Sequence, residues 1–197
     1  MVKSENHIQF LIAGCLKGNR SHQRELYELF YGYGLKIALR YAQNREEATE
    51  MLNDAFLKIF TKIHQYDTAQ PFKAWFRRVL IHAAIDYHRA YHKFPKLIEL
   101  EAGHDVENEE LPMPLLSPDE NVLPLVQQLP PQYRMVFNLY VMEEYDHREI
   151  ANLLGITEST SRANLARAKE KLRVMLTTQK PTNGVHFNYK RTILKNG

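Results

Sequence analysis

Apolar residues recur along this chain at helical spacing, and the pattern lapses over one long central stretch. Ala48, Met51, Leu52, Ala55, Phe56, Ile59, Phe60 and Ile63 form a stripe at i, i+3 and i+4 intervals, the signature of an amphipathic helix with one face in a core. Comparable patterning runs through residues 1–92 and resumes over 122–176. No alternating stretch of the kind a half-buried strand requires competes with it. The expected fold is all-α, with two helical domains. Pro95, Pro112, Pro114 and Pro118 lie between them, with acids at Glu99, Glu101, Asp105, Glu107, Glu109, Glu110, Asp119 and Glu120. A stretch so rich in proline and charge cannot bury enough apolar surface to offset the entropy of ordering, so residues 93–121 read as a flexible acidic linker. Residues 177–197 read as a basic, loosely ordered tail.

The sharpest local signal is in the second domain. Pro130 and Pro131 precede a helix expected over Gln132–Met142, proline being favoured at a first helical position. Asp146 with Glu149 three residues on makes a capping box for a short helix through Ile150, Ala151, Leu153 and Leu154. Gly155 is placed to stop it, Ile156 to plug the core, and Thr157 to cap the next helix, with Glu158 at its positive end. Two short helices about a glycine turn form the helix-turn-helix pattern, whose second helix enters the major groove of DNA. At about 100° per residue, Ser161, Leu165, Ala168 and Leu172 face the core. The opposite face carries Ser159, Ala163 and Ala166, flanked by Arg162 and Arg167. Small side chains let a backbone approach base edges, alanine methyls suit thymine methyls, and arginines grip guanine or phosphate.

Charge strengthens this picture only once it is divided. The net charge is +3. From Pro95 to residue 121 the acids face Lys96 alone, so that stretch carries about −7 and the remainder about +10. Two basic lobes joined by an acidic strap suit a polyanion partner. Cys15 is the single cysteine, which excludes an internal disulfide or a thiolate cluster and fits a reducing compartment. No run approaches the roughly 18 apolar residues of a membrane span, so a cytoplasmic protein with no stable membrane insertion is expected.

The stretch LPPQYRMVFNLYVMEEYDHREIANLLGITESTSRANLARAKEKL (129–172) resembles the promoter-binding fourth domain of extracytoplasmic-function sigma factors, in the sigma-70 family of bacterial RNA polymerase. REEATEMLNDAFLKIF (45–60), PFKAWFRR (71–78) and AIDYHRAYHK (84–93) resemble the second domain of the same family. The resemblance implies a transcription-initiation factor that is not an enzyme and has no cofactor or metal. It implies that domain four, 122–176, binds the −35 element through Ser159, Arg162, Ala163, Ala166 and Arg167 and also meets the flap of the polymerase β subunit. It implies that domain two, 1–92, docks Glu50, Asn53 and Asp54 on the clamp helices of the β′ subunit. The −10 element would be opened and read by Phe72, Trp75, Arg77, Arg78, His82, Asp86, Arg89 and Lys93, behind a base-capturing loop at Gln65–Gln70. The linker would thread toward the RNA channel with its acids mimicking RNA, and an anti-sigma factor is a common partner in the family. Departures from the family pattern stand at Asn53 (usually Gln), His82 (usually Asn), Ser161 (a core valine) and Asn164 (usually basic).

Other readings of single residues stand beside these. Trp75 reads first as core, and Phe72 equally as core or as a ring for stacking on a base. His88 and His92 lie four apart, as zinc ligands can, but no third ligand accompanies them. A glycine-rich phosphate loop is absent. A conventional helix-turn-helix regulator with an N-terminal sensing or dimerisation domain is one alternative, which would bind duplex DNA without a polymerase, and an interaction protein that binds core polymerase without opening DNA is another.

Overall fold

The computed structural model describes residues 5–91 and 123–178. Lys93, His92, the acidic linker and all but the first two residues of the basic tail lie outside the described residues. The chain divides into two compact units, one up to Phe94 and one from Pro95. Among the described residues both units are helical and no strand is present, as the apolar periodicity predicts.

The first unit contains α1 (Glu5–Leu16), α2 (Arg20–Tyr41), α3 (Arg45–Lys62, extended by a 3-10 turn at Ile63–Gln65) and α4 (Phe72–Tyr91). Side-chain oxygens start two of them. Asn19 accepts from the backbone of Ser21 and His22 to open α2, and Asn44 accepts from Glu47 at 2.8 Å to open α3. These caps satisfy backbone donors that a helix start leaves open. The expected α3 stripe is the buried face of that helix, with only Phe60 partly exposed. Helices α2, α3 and α4 pack on one another, and α1 lies against α2.

An aromatic cluster holds them. Phe30 of α2 meets Phe72 and Phe76 of α4, each at 5.1 Å between ring centres, and Phe56 of α3 meets Phe76 at 5.3 Å. Burial of each ring contributes about 1.5–3 kcal/mol, and the offset and edge contacts add to it. Close approach at the centre requires a missing side chain: a Cβ on Gly34 would lie 2.5 Å from Leu52 Cδ1 and 2.9 Å from Phe76 Cζ. Cys15 is buried beside α2, and burial pushes its thiol up to about 11, which leaves it unreactive.

The second unit contains α5 (Leu123–Gln127), α6 (Pro131–Phe137), a wide π segment (Asn138–Met142), α7 (His147–Leu154) and α8 (Glu158–Thr178). The single helix expected over Gln132–Met142 is thus two kinds of helix. At Asn138, fully buried, the side-chain amide donates to the Arg134 carbonyl at 2.9 Å and competes with the backbone for it. The ladder widens there, and Glu143 N–H reaches back to the Asn138 carbonyl. Leu129, Met135, Phe137, Ile150, Leu154, Leu165 and Leu172 form the core. No helix of the described residues is long and apolar enough to cross a membrane.

Gly34→Ala should lower the stability of the first unit by about 1–3 kcal/mol, because the added methyl collides with packed rings. Gly32→Ala, two residues away on the exposed side of α2 with open space around it, should raise stability by about 0.5–1 kcal/mol. Urea melts of the two variants measure the contrast.

Candidate nucleic-acid interface

Helices α3 and α4 run antiparallel, since the earlier residue of α3 meets the later residue of α4 and the reverse. Lys58 Nζ donates to Asp86 at 2.6 Å, and the Tyr91 hydroxyl donates to Glu50 at 3.5 Å. With Phe72, Phe76, Leu80 and Ala84 turned inward, α4 has a defined outer stripe. At about 100° per residue, Trp75, Arg78, His82, Asp86 and Arg89 fall within an arc of roughly 80°. Arg78, His82, Asp86 and Arg89 are exposed and Trp75 is half-buried. Arg77 stands about a quarter turn away and is half-buried.

Phe72 is a correction to the sequence reading. It is 1% exposed, locked between Phe30, Tyr66 and Trp75. Its ring cannot stack on a base without leaving the core, so its work is to carry Trp75 and the preceding loop. Trp75 itself rests on Tyr66 and Phe72, at 5.3 and 5.7 Å, with part of its surface open. Asp86 reaches across to Lys58 of α3. His82 is neutral more readily than an ordinary histidine: partial burial lowers its pKa, against Asp86, and Arg78, Lys58 and Arg89 lower it further.

The loop between α3 and α4 is pre-shaped. The Tyr66 hydroxyl donates to the Gln70 carbonyl. Asp67 accepts from Ala69 N–H at 2.9 Å, and Gln70 N–H closes onto the Asp67 carbonyl at 3.1 Å. Tyr66 is buried and also receives Gln9 from α1 at 3.5 Å. Sequence reading placed Tyr66 inside the loop Gln65–Gln70 but gave it no role, since a lone tyrosine among polar residues carries no pattern.

A second surface lies on α3. Glu50, Asn53 and Asp54 are all exposed, and with Arg45, Glu46 and Thr49 they line a shallow depression. Leu57, 67% exposed, adds an apolar point to this acidic face. The Tyr27 hydroxyl donates to Asn53 Oδ1 at 3.2 Å and leaves its amide hydrogens outward. These neighbours, Tyr27, Leu57 and Tyr91, also escaped the sequence reading, because contacts between helices leave no spacing signal.

In the second unit the local signals read from sequence take the expected form. Asp146 accepts from Glu149 N–H at 2.7 Å while Glu149 accepts from Asp146 N–H at 2.8 Å. Gly155 sits at φ 68°, the left-handed region glycine enters freely. Thr157 accepts from Thr160 N–H at 3.0 Å to open α8. Ser161, Leu165, Ala168 and Leu172 are buried. Ser159, Arg162 and Arg167 are exposed and Ala163 and Ala166 half-exposed, so all five share the outer side. Arg162 is braced by Glu158 at 3.2 Å. Asn164 is buried, facing inward beside Leu165. The Ser161 hydroxyl bonds His147 of α7 at 2.9 Å.

Of the two histidines spaced like zinc ligands, His92 lies outside the described residues. His88 is buried at 3% exposure on the inner side of α4, and the described residues hold no group of three or more His, Cys, Asp or Glu suited to a metal.

The family model for sigma-70 region 2 matches residues 21–94, and that for sigma-70 region 4 matches residues 119–172. The chain is 24% identical over 152 residues to the ECF RNA polymerase sigma factor SigM of Bacillus subtilis (strain 168), covering 77% of this chain and 93% of SigM. It is 22% identical over 182 residues to the RNA polymerase sigma factor SigV of the same organism, covering 90% of this chain and 98% of SigV. Among solved structures, CnrH in complex with the cytosolic domain of CnrY is 18% identical, with a TM-score of 0.45 over 88% of this chain and 99% of that one.

Asp146→Ala should cost the second unit about 1 kcal/mol, since the cap supplies one side of a reciprocal pair. Amide hydrogen exchange should quicken across α7 and α8 and stay unchanged in α2–α4.

Proposed function

We propose a division of labour for this chain, which belongs to the sigma-70 family, is of its extracytoplasmic-function type, and is a regulatory factor for promoter-specific initiation by RNA polymerase. Its partners are the polymerase core and DNA. In the proposed scheme the first unit (1–92) serves the polymerase and the −10 element, and the second (122–176) serves the −35 element and the β flap. Residues 93–121 are the acidic strap between them and 177–197 a basic tail. The setting is the cytoplasm, and an anti-sigma factor is a further candidate partner.

One observation carries the scheme. The residues assigned to nucleic acid lie on the outer stripe of α4, and those assigned to the polymerase lie on another face of the antiparallel partner α3. Asn53 lies about 140° round α3 from Lys58, which reaches Asp86 of α4, while Asp54 stands one turn before Lys58 and Glu50 meets Tyr91 of α4. The two surfaces adjoin along that seam, and a factor that melts DNA on an enzyme must present both at once.

On α3, Glu50, Asn53 and Asp54 offer carboxylates and a carboxamide to the β′ clamp helices, with Tyr27 orienting Asn53. On α4, Arg78 and Arg89 hold phosphate, His82 and Asp86 meet the strand between them, and Trp75 offers its exposed part to an unstacked base. Lys93 would continue the stripe, and Arg77 would contribute from its flank. The loop held by Tyr66 supplies the pocket for a flipped base, whose unstacking costs a few kcal/mol and is offset by stacking and phosphate contacts. In α8, Ser159, Ala163 and Ala166 admit the helix to the major groove, with Arg162 and Arg167 on guanine or phosphate.

Reconstitution with core polymerase tests the reading: the complex should start RNA at selected sites, and the chain without core should not seek out those sites. A conventional helix-turn-helix regulator would do the reverse. The pair Asn53→Ala and Asp54→Ala should weaken core binding by about tenfold or more. The pair Arg78→Ala and Arg89→Ala should leave core binding intact and abolish permanganate reactivity of promoter thymines. The slope of log affinity against log salt should become shallower by roughly one to two.

A further inference from the structure

We propose that His147 is a positioning residue for the DNA-facing side of α8, acting through its hydrogen bond to Ser161. This rests on the reading of α8 as the promoter helix. The His147 Nδ1 and the Ser161 Oγ lie 2.9 Å apart. Ser161 is fully buried, and a hydroxyl removed from water needs a partner that an apolar neighbour cannot supply. That partner comes from α7. The edge of the imidazole makes that bond, and a face of it stacks on Tyr140 of the π segment, 4.6 Å between ring centres with planes 24° apart. One side chain thus joins the π segment, α7 and α8 at a single point.

Where that point lies gives it its effect. Ser161 sits two residues after Ser159 and immediately before Arg162 and Ala163, on the first turns of α8. Those are the turns whose side chains reach base edges in this motif. Core contacts from Leu165, Ala168 and Leu172 begin a turn further on and resist rotation of the helix start only weakly. The hydrogen bond is directional, so it sets the rotation that points Ser159 and Arg162 outward.

The surroundings oppose a charged ring. Burial comes first, and Arg162 and Lys169 of α8 add to it, against Asp146 at the cap and Glu158 of α8; together they lower the His147 pKa. A charged ring in this place is disfavoured in the folded state. A charged Nδ1–H can still donate to Ser161, so the pH dependence comes from the cost of a charged ring in this place: the native arrangement is fully favoured above the ordinary histidine value near 6.5 and loses that advantage as pH falls through the lower folded value.

Two measurements on the full chain decide the matter. The first follows the His147 ring by NMR without DNA. It should titrate below about 6.5, and Ser161→Ala should move it; an ordinary titration indifferent to Ser161→Ala overturns the proposal. The second loads core polymerase with the wild-type chain or with His147→Phe/Ser161→Val, in which an apolar pair replaces the polar one. The probe is a duplex enriched by the wild-type holoenzyme from a randomised pool at about pH 7.5. Between about pH 7.5 and 5.5 wild-type affinity should fall roughly five- to tenfold. The double variant should hold or tighten, because surface histidines gain charge. Identical profiles overturn the proposal. If the wild-type holoenzyme enriches no sequence, the promoter-binding reading falls and the positioning role with it, whatever the ring titration shows.

Discussion

Burial of one face of α4 against Phe30 and Phe56 decides what the rest of that helix can do. A helix has a limited circumference, and once Phe72, Phe76, Leu80 and Ala84 are turned inward the outward residues are determined. Arg78, His82, Asp86 and Arg89 then form one exposed stripe with Trp75 at its upper edge. Gly34 is part of the same constraint, because its missing side chain lets α2 sit close enough to press the rings together. The surface assigned to nucleic acid is in this sense the complement of the core.

Stability and function meet differently in the two units. In the first, the functional surface is laid over a dense aromatic core, and its polar links run between helices, as in Lys58 with Asp86 and Tyr27 with Asn53. Exposed polar links of that kind contribute little to stability, and their importance is in fixing where side chains point. In the second unit, short helices depend more on their ends. The capping box at Asp146, the left-handed Gly155 and the Thr157 cap each satisfy groups that helices of this length leave open. The angle between α7 and α8 is then held by a small apolar core and one polar bridge.

The departures from the family pattern find different accommodations. Asn53, shorter than the usual glutamine, is oriented by a tyrosine from α2. Ser161, in place of a core valine, has a hydrogen-bond partner on the neighbouring helix. Asn164 faces the interior, where a basic side chain would have little access to phosphate. His82 remains on the open stripe, beside the Lys58 and Asp86 pair.

Much of this protein was legible in its residue order because the signals are local. Helical spacing, proline at a first turn, Asp146 with Glu149, and Gly155 before Thr157 all act within a few residues, and each took the predicted form. The five outer residues of α8 followed from its periodicity alone. What only the tertiary structure decided concerns groups distant in sequence. Phe72 became core because Phe30 and Tyr66 close over it, and Asp86 gained an ion pair to Lys58 of another helix. The widened turn at Asn138 and the His147 bridge arise from burial, which no spacing reports. Periodicity says which side of a helix faces inward, and only the packed neighbours say what is waiting there.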